Sequence, residues 1–356
     1  MKQHSEGVKL SSIVGANFIK LTKMNELIRT AFANSDATEI SIYIDTYSII
    51  DRILGANVIM ESELELSELI LDMCAYYRRY FKAFGVDTTF YIVSSYNIPV
   101  ISKQLMPDYN RGFAMKLTSG IYMTIENNMN ALNTLCPYLH GIYFIKSSYE
   151  SAVCMASVMQ NDSRPKIVLT KDIYNLQLCT LDRSVVCIRP SKSRGNDVSR
   201  IVFDPITFWT TALIDMKINA KEILFNPSSF SSLLALTKLP QRSIMSLCNT
   251  AALINRINGW VSKGLLNPDN VTVDAIVRMM QQEPLVNKNF MEAVNNGVIE
   301  NRFKCIDVMY QLQEYQHSTE LITTLNEALK DKYDPKSVEL INNKYYKGLL
   351  QLQDLL

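Results

Sequence analysis

Histidine and paired cysteine are scarce in this sequence of 356 residues. Its three histidines lie far apart in the chain, so a histidine-based metal site or catalytic triad is not indicated. The seven cysteines are odd in number, include no CxxC pair and mostly lie in apolar runs. Buried free thiols in a reducing compartment are therefore favoured over disulfides or a zinc site.

Long apolar segments and an excess of one charge are also missing. No apolar run approaches the roughly 18 residues of a membrane span, and the first residues lack the apolar stretch of a signal peptide. We therefore expect no membrane contact and a cytoplasmic location. Lys and Arg number 36 against 35 Asp and Glu, so the chain lacks the basic excess that drives non-specific binding to nucleic acid. A nucleic-acid role would require a local basic patch.

Buried strands alternate with helices up to about residue 190. Apolar residues make up 47% of the chain, which is enough to bury a large core. Apolar, β-branched runs predict strands at 40–45, 88–95, 141–145, 167–169 and 184–189, with helices at 63–84, 124–135 and 150–159 between them. This alternation predicts an α/β fold built on a doubly wound parallel sheet.

Beyond residue 205 the pattern becomes helical. Apolar spacing predicts a C-terminal helical region with helices at 206–216, 228–236, 243–257, 271–282, 289–294, 320–329 and 337–355. One further amphipathic helix is predicted at 18–28.

Acidic residues stand at the ends of predicted strands and at the start of one helix. Asp45 ends the first strand, Asp172 follows the strand at 167–169, and Glu150 begins the helix at 150–159. Ligands of open α/β sheets gather at the carboxyl ends of the strands, and carboxylates bind hard divalent cations. These three residues are the candidate metal ligands; a helix N-cap is the alternative role of Asp45.

The segment from 99 to about 119 is polar and basic. It carries Lys103, Tyr109, Arg111 and Lys116, and cations with an aromatic ring over the functional end of a sheet can clamp a nucleic-acid strand. An ordinary solvated loop has the same composition, so both interpretations stay open.

Six short blocks follow one another along the chain: Tyr43-Ile44-Asp45, 93–99, 106–109, 141–153, 168–178 and 236–244. In this order they resemble the motifs of the flap endonuclease family, which has a PIN-like 5′-nuclease domain. The first block matches the family's first strand and its metal-binding Asp, and the others match "VFDxxxP", "xPEY", "GI…YEADD", "VxSGDKDxxQL" and "LxGDxSDNI". The resemblance implies a PIN-like 5′-nuclease domain at 39–205 and a helical domain at 206–300 that resembles the family's helix-two turns-helix region. An N-terminal extension (1–38) and a C-terminal helical extension (301–356) flank them.

The chemistry of this family makes its acidic positions a test of function. Two Mg²⁺ ions about 4 Å apart act on the phosphodiester, and each needs oxygen ligands. Asp45, Glu150 and Asp172 match acidic positions, whereas other family acids are replaced by Ser95, Ala152, Val153, Tyr174, Leu239 and Arg242. The glycine turn "GVPGIG", which approaches phosphate closely, is replaced by the glycine-free segment 245–250. The resemblance therefore implies at most a remnant site for a single Mg²⁺ or Mn²⁺.

Retained core motifs with lost acids favour a catalytically degenerate 5′-nuclease fold that acts as a structural or interaction component with protein partners. Because such nucleases are common among bacteriophage replication genes, we expect a phage assembly, in the host cytoplasm or the virion. One alternative is a metal-dependent structure-specific 5′-nuclease that uses Asp45, Glu150 and Asp172 with help from Asp51 or Asp182. Another is a non-catalytic DNA-binding protein.

Overall fold

The described part of the chain leaves out both termini and several loops. The computed structural model describes residues 8–9, 37–46, 48–50, 58–59, 65–95, 100–106, 119–190, 200–237, 248–283, 288–330 and 333. The helices predicted at 18–28 and 337–355 lie outside these residues.

A six-stranded sheet forms the centre of the described residues. The strands of the described chain are β1 (Val8–Lys9), β2 (Glu39–Asp45), β3 (Val58–Ile59), β4 (Asp87–Ser94), β5 (Ile142–Lys146), β6 (Lys166–Leu169), β7 (Val185–Pro190) and β8 (Arg200–Phe203). The order in the sheet is β5-β4-β2-β6-β7-β8, and β1 pairs with β3 separately. The α/β fold with a doubly wound parallel sheet is confirmed for the first five of these strands.

The edge strand β8 differs from the prediction because it runs antiparallel to β7. Only residues 191–199 separate the two strands, and a parallel crossover needs about a dozen residues or more. The short connection therefore leaves an antiparallel pairing as the accessible one.

Both faces of the sheet are buried, which explains the near-continuous apolar runs of the strands. On β2, Ile42 and Ile44 pack into one core cluster, whereas Tyr43 between them packs into the other. The side chains of a strand alternate between the two faces, so a run without polar gaps fills both cores. The result is a three-layer arrangement with helices on each side of the sheet.

The helices fall into two groups. Those that connect the strands are α1 (Glu65–Lys82), α2 (Val100–Leu105), α3 (Ser119–Leu135), α4 (Ser151–Met159) and α5 (Leu178–Leu181). Those that follow the sheet are α6 (Phe208–Asp215), α7 (Phe230–Leu236), α8 (Thr250–Ser262), α9 (Val273–Gln281), α10 (Lys288–Asn295), α11 (Val298–Ile306), α12 (Val308–Tyr315) and α13 (Thr319–Ala328).

The start of one predicted helix needs correction, and the structure defines two further helices. The helix predicted at 243–257 begins only at Thr250, because the Asn249 side chain accepts the Ala252 amide at 3.0 Å and caps it there. Helices α11 and α12 were not predicted individually, although both lie in segments predicted to be helical. The Asp307 side chain accepts the Tyr310 amide at 2.6 Å, and this cap starts α12 directly after α11.

One hydrophobic cluster joins the sheet to the C-terminal helices, from Tyr43 on β2 to Leu321 on α13. The helix α11 crosses residue 300, where the sequence division places a boundary; the four-segment division stays a prediction. All seven cysteines are free, and six are buried. None of the described helices combines the length and the apolar character that crossing a membrane requires.

Candidate functional site

The carboxyl ends of the central strands bring the three predicted acidic residues to one side of the sheet. Asp45 is the last residue of β2, and β2 pairs with β6, whose chain continues through Thr170 to Asp172. Glu150 stands at the N-cap of α4, after β5. All three carboxylates are buried. The topology therefore places them as the strand pattern predicts.

Asp45 is the centre of a buried hydrogen-bond network. Its Oδ2 accepts from Ser48 Oγ at 2.9 Å, from Thr170 Oγ1 at 3.0 Å and from Asn175 Nδ2 at 3.0 Å. We call Asp45, Ser48, Thr170 and Asn175 the Asp45 network. A carboxylate oxygen offers about two lone-pair sites, so these three neutral donors occupy Oδ2 fully.

The Asp45 network also ties the neighbouring loops together. Ser48 Oγ accepts the Lys171 amide at 2.6 Å, and Thr170 Oγ1 accepts the Asp172 amide at 3.0 Å. Each hydroxyl donates to the carboxylate and accepts from the backbone after β6. The network therefore fixes this loop against the end of β2.

Asp172 accepts a local hydrogen bond, whereas Glu150 accepts one from a distant part of the chain. The Asp172 Oδ1 accepts the Tyr174 amide at 3.0 Å and caps the 3-10 helix Ile173–Gln177. Glu150 Oε1 accepts from Ser102 Oγ at 3.3 Å. Ser102 belongs to α2, so Glu150 joins α4 to the start of the segment that was predicted as a basic loop. That part of the segment is helical, and Ser102 is buried within it.

Helices α11 and α12, the covering helices, lie over this end of the sheet. Gln177 connects them to the site, because its Nε2 donates to the Ile306 carbonyl at 3.0 Å and its Oε1 accepts the Val308 amide at 3.3 Å. The space that remains between Glu150, Tyr174 and the covering helices is about 10 Å³, close to the volume of one water molecule.

The end of α12 and the start of α13 contact the residues that precede Glu150. Tyr149 OH lies 2.7 Å from Ser318 Oγ, and its ring packs against Tyr315 at a centroid distance of 5.6 Å. Ser148 Oγ donates to Glu320 Oε1 at 2.7 Å. The residues immediately before Glu150 are therefore held by the C-terminal helices.

Three solved structures have a fold similar to that of this chain. The flap endonuclease of bacteriophage T5, as a pseudo-enzyme–product complex with DNA and metal ions, superposes with a TM-score of 0.54 at 12% identity, covering 82% of this chain and 98% of that chain. The same T5 protein co-crystallised with metal ions gives 0.52 at 12% identity, covering 82% and 99%. A mutant of the T5 5′-exonuclease gives 0.51 at 11% identity, covering 82% and 98%. The chain has a 5′-nuclease fold. No protein-family model and no curated protein sequence matches it.

The two-metal centre of the resembled family does not fit the described residues of this 5′-nuclease fold. Among them, no group of three or more histidine, cysteine, aspartate or glutamate side chains is arranged to hold a metal ion. Oδ2 of Asp45 is filled by the donors of the Asp45 network. Ala152 and Val153, at two acidic positions of the motif, are buried in the apolar core and offer no ligand.

Tyr174, at a further acidic position, is also part of the core. Burial, with the charge of Asp172, raises the pKa of its phenol, and Arg302 of α11 opposes this shift. The phenol therefore stays neutral and cannot act as an anionic ligand. Ser95 is buried as well, whereas Leu239 and Arg242 lie outside the described residues.

The accessory acids and the predicted nucleic-acid contacts add no described side chain to the site. Asp182 lies before β7, at the amino end of the sheet, where it pairs with Lys166 at 2.9 Å; the idea that it assists Asp45 is therefore wrong. Asp51 is outside the described residues. Of the predicted nucleic-acid contacts, Lys103 lies in α2 without a described side chain, and three lie outside the described part: Tyr109, Arg111 and Lys116.

Sequence reasoning missed the residues that determine the character of the site. Thr170 and Asn175 lie within the block 168–178 that carries the resemblance, and polar residues inside an apolar stretch were the available signal. The start of α12 also had a signal in the sequence, because aspartate is a favoured N-cap residue and Asp307 directly precedes the helix.

Proposed function

We propose that this chain is a catalytically degenerate 5′-nuclease-fold protein that acts as a structural or interaction component of a larger assembly. The observation that carries the proposal is the Asp45 network. The carboxylate that would begin a metal site is instead an acceptor for three neutral donors. Asp45 therefore has a structural role as a hydrogen-bond acceptor, and this role does not require a metal ion.

The covering helices support the same proposal. A phosphodiester must reach the carboxylates for hydrolysis, yet Glu150 and Asn175 face Ile306 and Gln311 across the 10 Å³ space. Gln177 fixes the cover through two hydrogen bonds to its backbone. Among the described residues, the space between Glu150 and the covering helices is too small for a nucleotide.

A cleavage assay tests the proposal. The purified chain is incubated with a 5′-flap DNA in Mg²⁺ and, separately, in Mn²⁺, beside the flap endonuclease of bacteriophage T5 as a positive control. We expect no cleavage above that of the Asp172→Ala variant. Cleavage by the wild-type chain that disappears in Asp172→Ala would overturn the proposal in favour of the metal-dependent nuclease.

DNA binding without cleavage is the second candidate function. It is favoured by the T5 complex of similar fold, which contains DNA. Titration of fluorescent branched and single-stranded DNA at low salt tests it, with Lys103→Ala, Arg111→Ala and Lys116→Ala as matched variants. A flat titration removes this candidate, and a salt-dependent affinity that falls in the variants supports it.

We further propose a phage-encoded source and a place in the virion or the host cytoplasm. The similarity to a bacteriophage T5 protein supports the source. Mass spectrometry of purified particles and of infected-cell lysates tests the location: peptides of the chain in the particles support virion association, and their restriction to the lysate contradicts it.

A further inference from the structure

A cleft of about 620 Å³ lies beside α11. Residues of α9, α10, α11 and the start of α12 line this outer cleft. Binding sites for small ligands and short peptide segments commonly enclose about 300–1,000 Å³. This outer cleft is therefore large enough for two or three side chains.

Helix α11 presents different residues to the outer cleft and to the Asp45 side. Ile299, Glu300 and Phe303 line the cleft, whereas Cys305 and Ile306 line the space beside Glu150. The two sets are neighbours on the helix, because Ile299 and Ile306 lie seven residues apart and so on nearly the same side of it. The outer cleft and the space beside Glu150 therefore share α11 but no lining residue.

The lining of the outer cleft combines apolar, acidic and aromatic side chains. Val277, Val294 and Phe303 supply apolar surface, and Asp274, Glu300 and Tyr310 supply two carboxylates and a phenol ring. Aliphatic stems pack on the apolar surface. A cation at the end of such a stem is attracted to a carboxylate and to an aromatic ring face.

A contact within the chain shows that Glu300 and Tyr310 can accept a cation. Lys304 Nζ lies 2.6 Å from Glu300 Oε1 and 5.9 Å from the centroid of the Tyr310 ring. The hydrogen bond to Glu300 raises the pKa of Lys304, so its ammonium stays charged. Asp274 and Glu300 together carry one negative charge more than Lys304 neutralises. The lining therefore has an acidic excess.

We propose that the outer cleft binds a short segment of a partner protein in which an arginine side chain is flanked by aliphatic residues. The inference rests on the proposed interaction role and names the chemistry of the partner. Arginine suits the site because its planar guanidinium stacks on aromatic rings and pairs with carboxylates through two donors. The flanking aliphatic residues pack on the side chains of Val277, Val294 and Phe303.

Methyl NMR of the full-length chain tests this proposal. The probe is the peptide acetyl-Leu-Arg-Leu-amide, and its control is acetyl-Leu-citrulline-Leu-amide, which has nearly the same shape without the charge. We expect saturable shifts of the Val277 and Val294 methyl signals, with the arginine peptide binding about tenfold more tightly, a difference of about 1.4 kcal/mol. Equal affinity for both peptides, or no shift at these methyls, would overturn the proposal.

Variants separate the cleft from non-specific attraction. The double variant Asp274→Asn with Glu300→Gln is expected to abolish the preference for arginine, and Tyr310→Leu is expected to weaken it several-fold. Asp269→Asn removes an exposed acid that does not line the cleft and is expected to change nothing. Loss of the preference in Asp269→Asn would overturn the assignment. A thermal unfolding curve for each variant shows that the fold is intact.

The two proposals fail in different assays. If the peptide does not bind and flap DNA is not cleaved, the outer cleft is wrong and the degenerate nuclease stands. If flap DNA is cleaved in an Asp172-dependent way, the proposed function fails whatever the peptide does.

Discussion

The two ends of the central sheet bury carboxylates in different ways. At the carboxyl end, Asp45 Oδ2 accepts from three neutral groups, among them Thr170. At the amino end, Asp162 pairs with the Arg164 guanidinium, Nε to Oδ1, at 2.8 Å and accepts from Tyr43 OH at 2.9 Å. The donors to Asp45 Oδ2 are neutral, whereas Asp162 is paired with a guanidinium.

The amino-end pair also joins several strands. Besides Asp162, Arg164 donates to Thr89 Oγ1 at 2.5 Å and to Tyr91 OH at 2.9 Å. The Tyr91 ring stacks on Tyr43 at 4.7 Å. Burial alone would raise the pKa of Asp162, but the hydrogen bonds and the charge of Arg164 lower it overall.

The two ends therefore stabilise a buried carboxylate through different described partners. At the amino end, Asp162 has a guanidinium partner. At the carboxyl end, three neutral side chains donate hydrogen bonds to Asp45 Oδ2. Mutations at the two ends should therefore behave differently.

The largest effect is expected at the amino end. Arg164→Ala leaves the buried Asp162 carboxylate without its countercharge, and breaking a buried pair in this way costs about 3–5 kcal/mol. Urea unfolding measures the loss, and Arg164→Lys, which keeps the charge but not the three-way geometry, should lose less. A loss below about 1 kcal/mol for Arg164→Ala would show that the pair is solvated rather than buried.

A smaller effect, and a sharper distinction, is expected for Asp45→Asn. If Asp45 is the acceptor of the Asp45 network, the amide places a donor among donors and costs about 1–3 kcal/mol. If Asp45 belongs to a cluster of repelling metal ligands, removing its charge stabilises the metal-free protein instead. Thermal unfolding in EDTA and in Mg²⁺ separates the two cases by the sign of the change.

The attachment of the cover is expected to contribute a similar or smaller amount. Gln177→Leu keeps most of the volume but leaves the Ile306 carbonyl and the Val308 amide without their side-chain partner, at a cost of about 1–3 kcal/mol. Hydrogen exchange should accelerate at the Val308 amide and stay unchanged in β2. Gln160→Leu, at an exposed position after α4, is the control, and equal acceleration in both variants would contradict the role of Gln177.

The smallest effect is expected from acid titration of the amino end. The pKa of Asp162 is lower in the folded state than its unfolded value of about 3.9. Its contribution is therefore complete above that value and is lost as the pH falls through the folded pKa. Asp162→Asn should flatten this part of the stability–pH curve. An unchanged acid limb would mean that other carboxylates, such as Asp182, account for it.

Much of the fold was predictable because burial on both faces leaves a mark in the sequence. The apolar runs around Tyr43, Phe90 and Val168 predicted strands that the structure has, and α1 ends before Gly85, whose φ of +74° favours glycine. The meeting of Asp45 and Asp172 at one edge follows from parallel pairing of β2 and β6.

The covering helices show where this reasoning stops. Val298–Ile306 and Val308–Tyr315 are short, and the turn between them contains a single non-helical residue, Asp307. Short segments with mixed polarity give a weak periodic signal. The sequence predicted a helical region here, but the bounds of the two helices and their position over the site depend on packing against the sheet, which the sequence pattern does not record.

The sequence by itself determined the parallel strands and the positions of Asp45 and Asp172 after strands and of Glu150 before a helix, and it placed Ala152 and Val153 at two acidic positions of the resembled motif. Those features depend on local periodicity and on residue type. Only the tertiary structure decided that neutral donors fill Oδ2 of Asp45 and that Gln177 holds a cover over the site. These contacts join residues far apart in the chain, and hydrogen-bond geometry is set by the packing that brings them together.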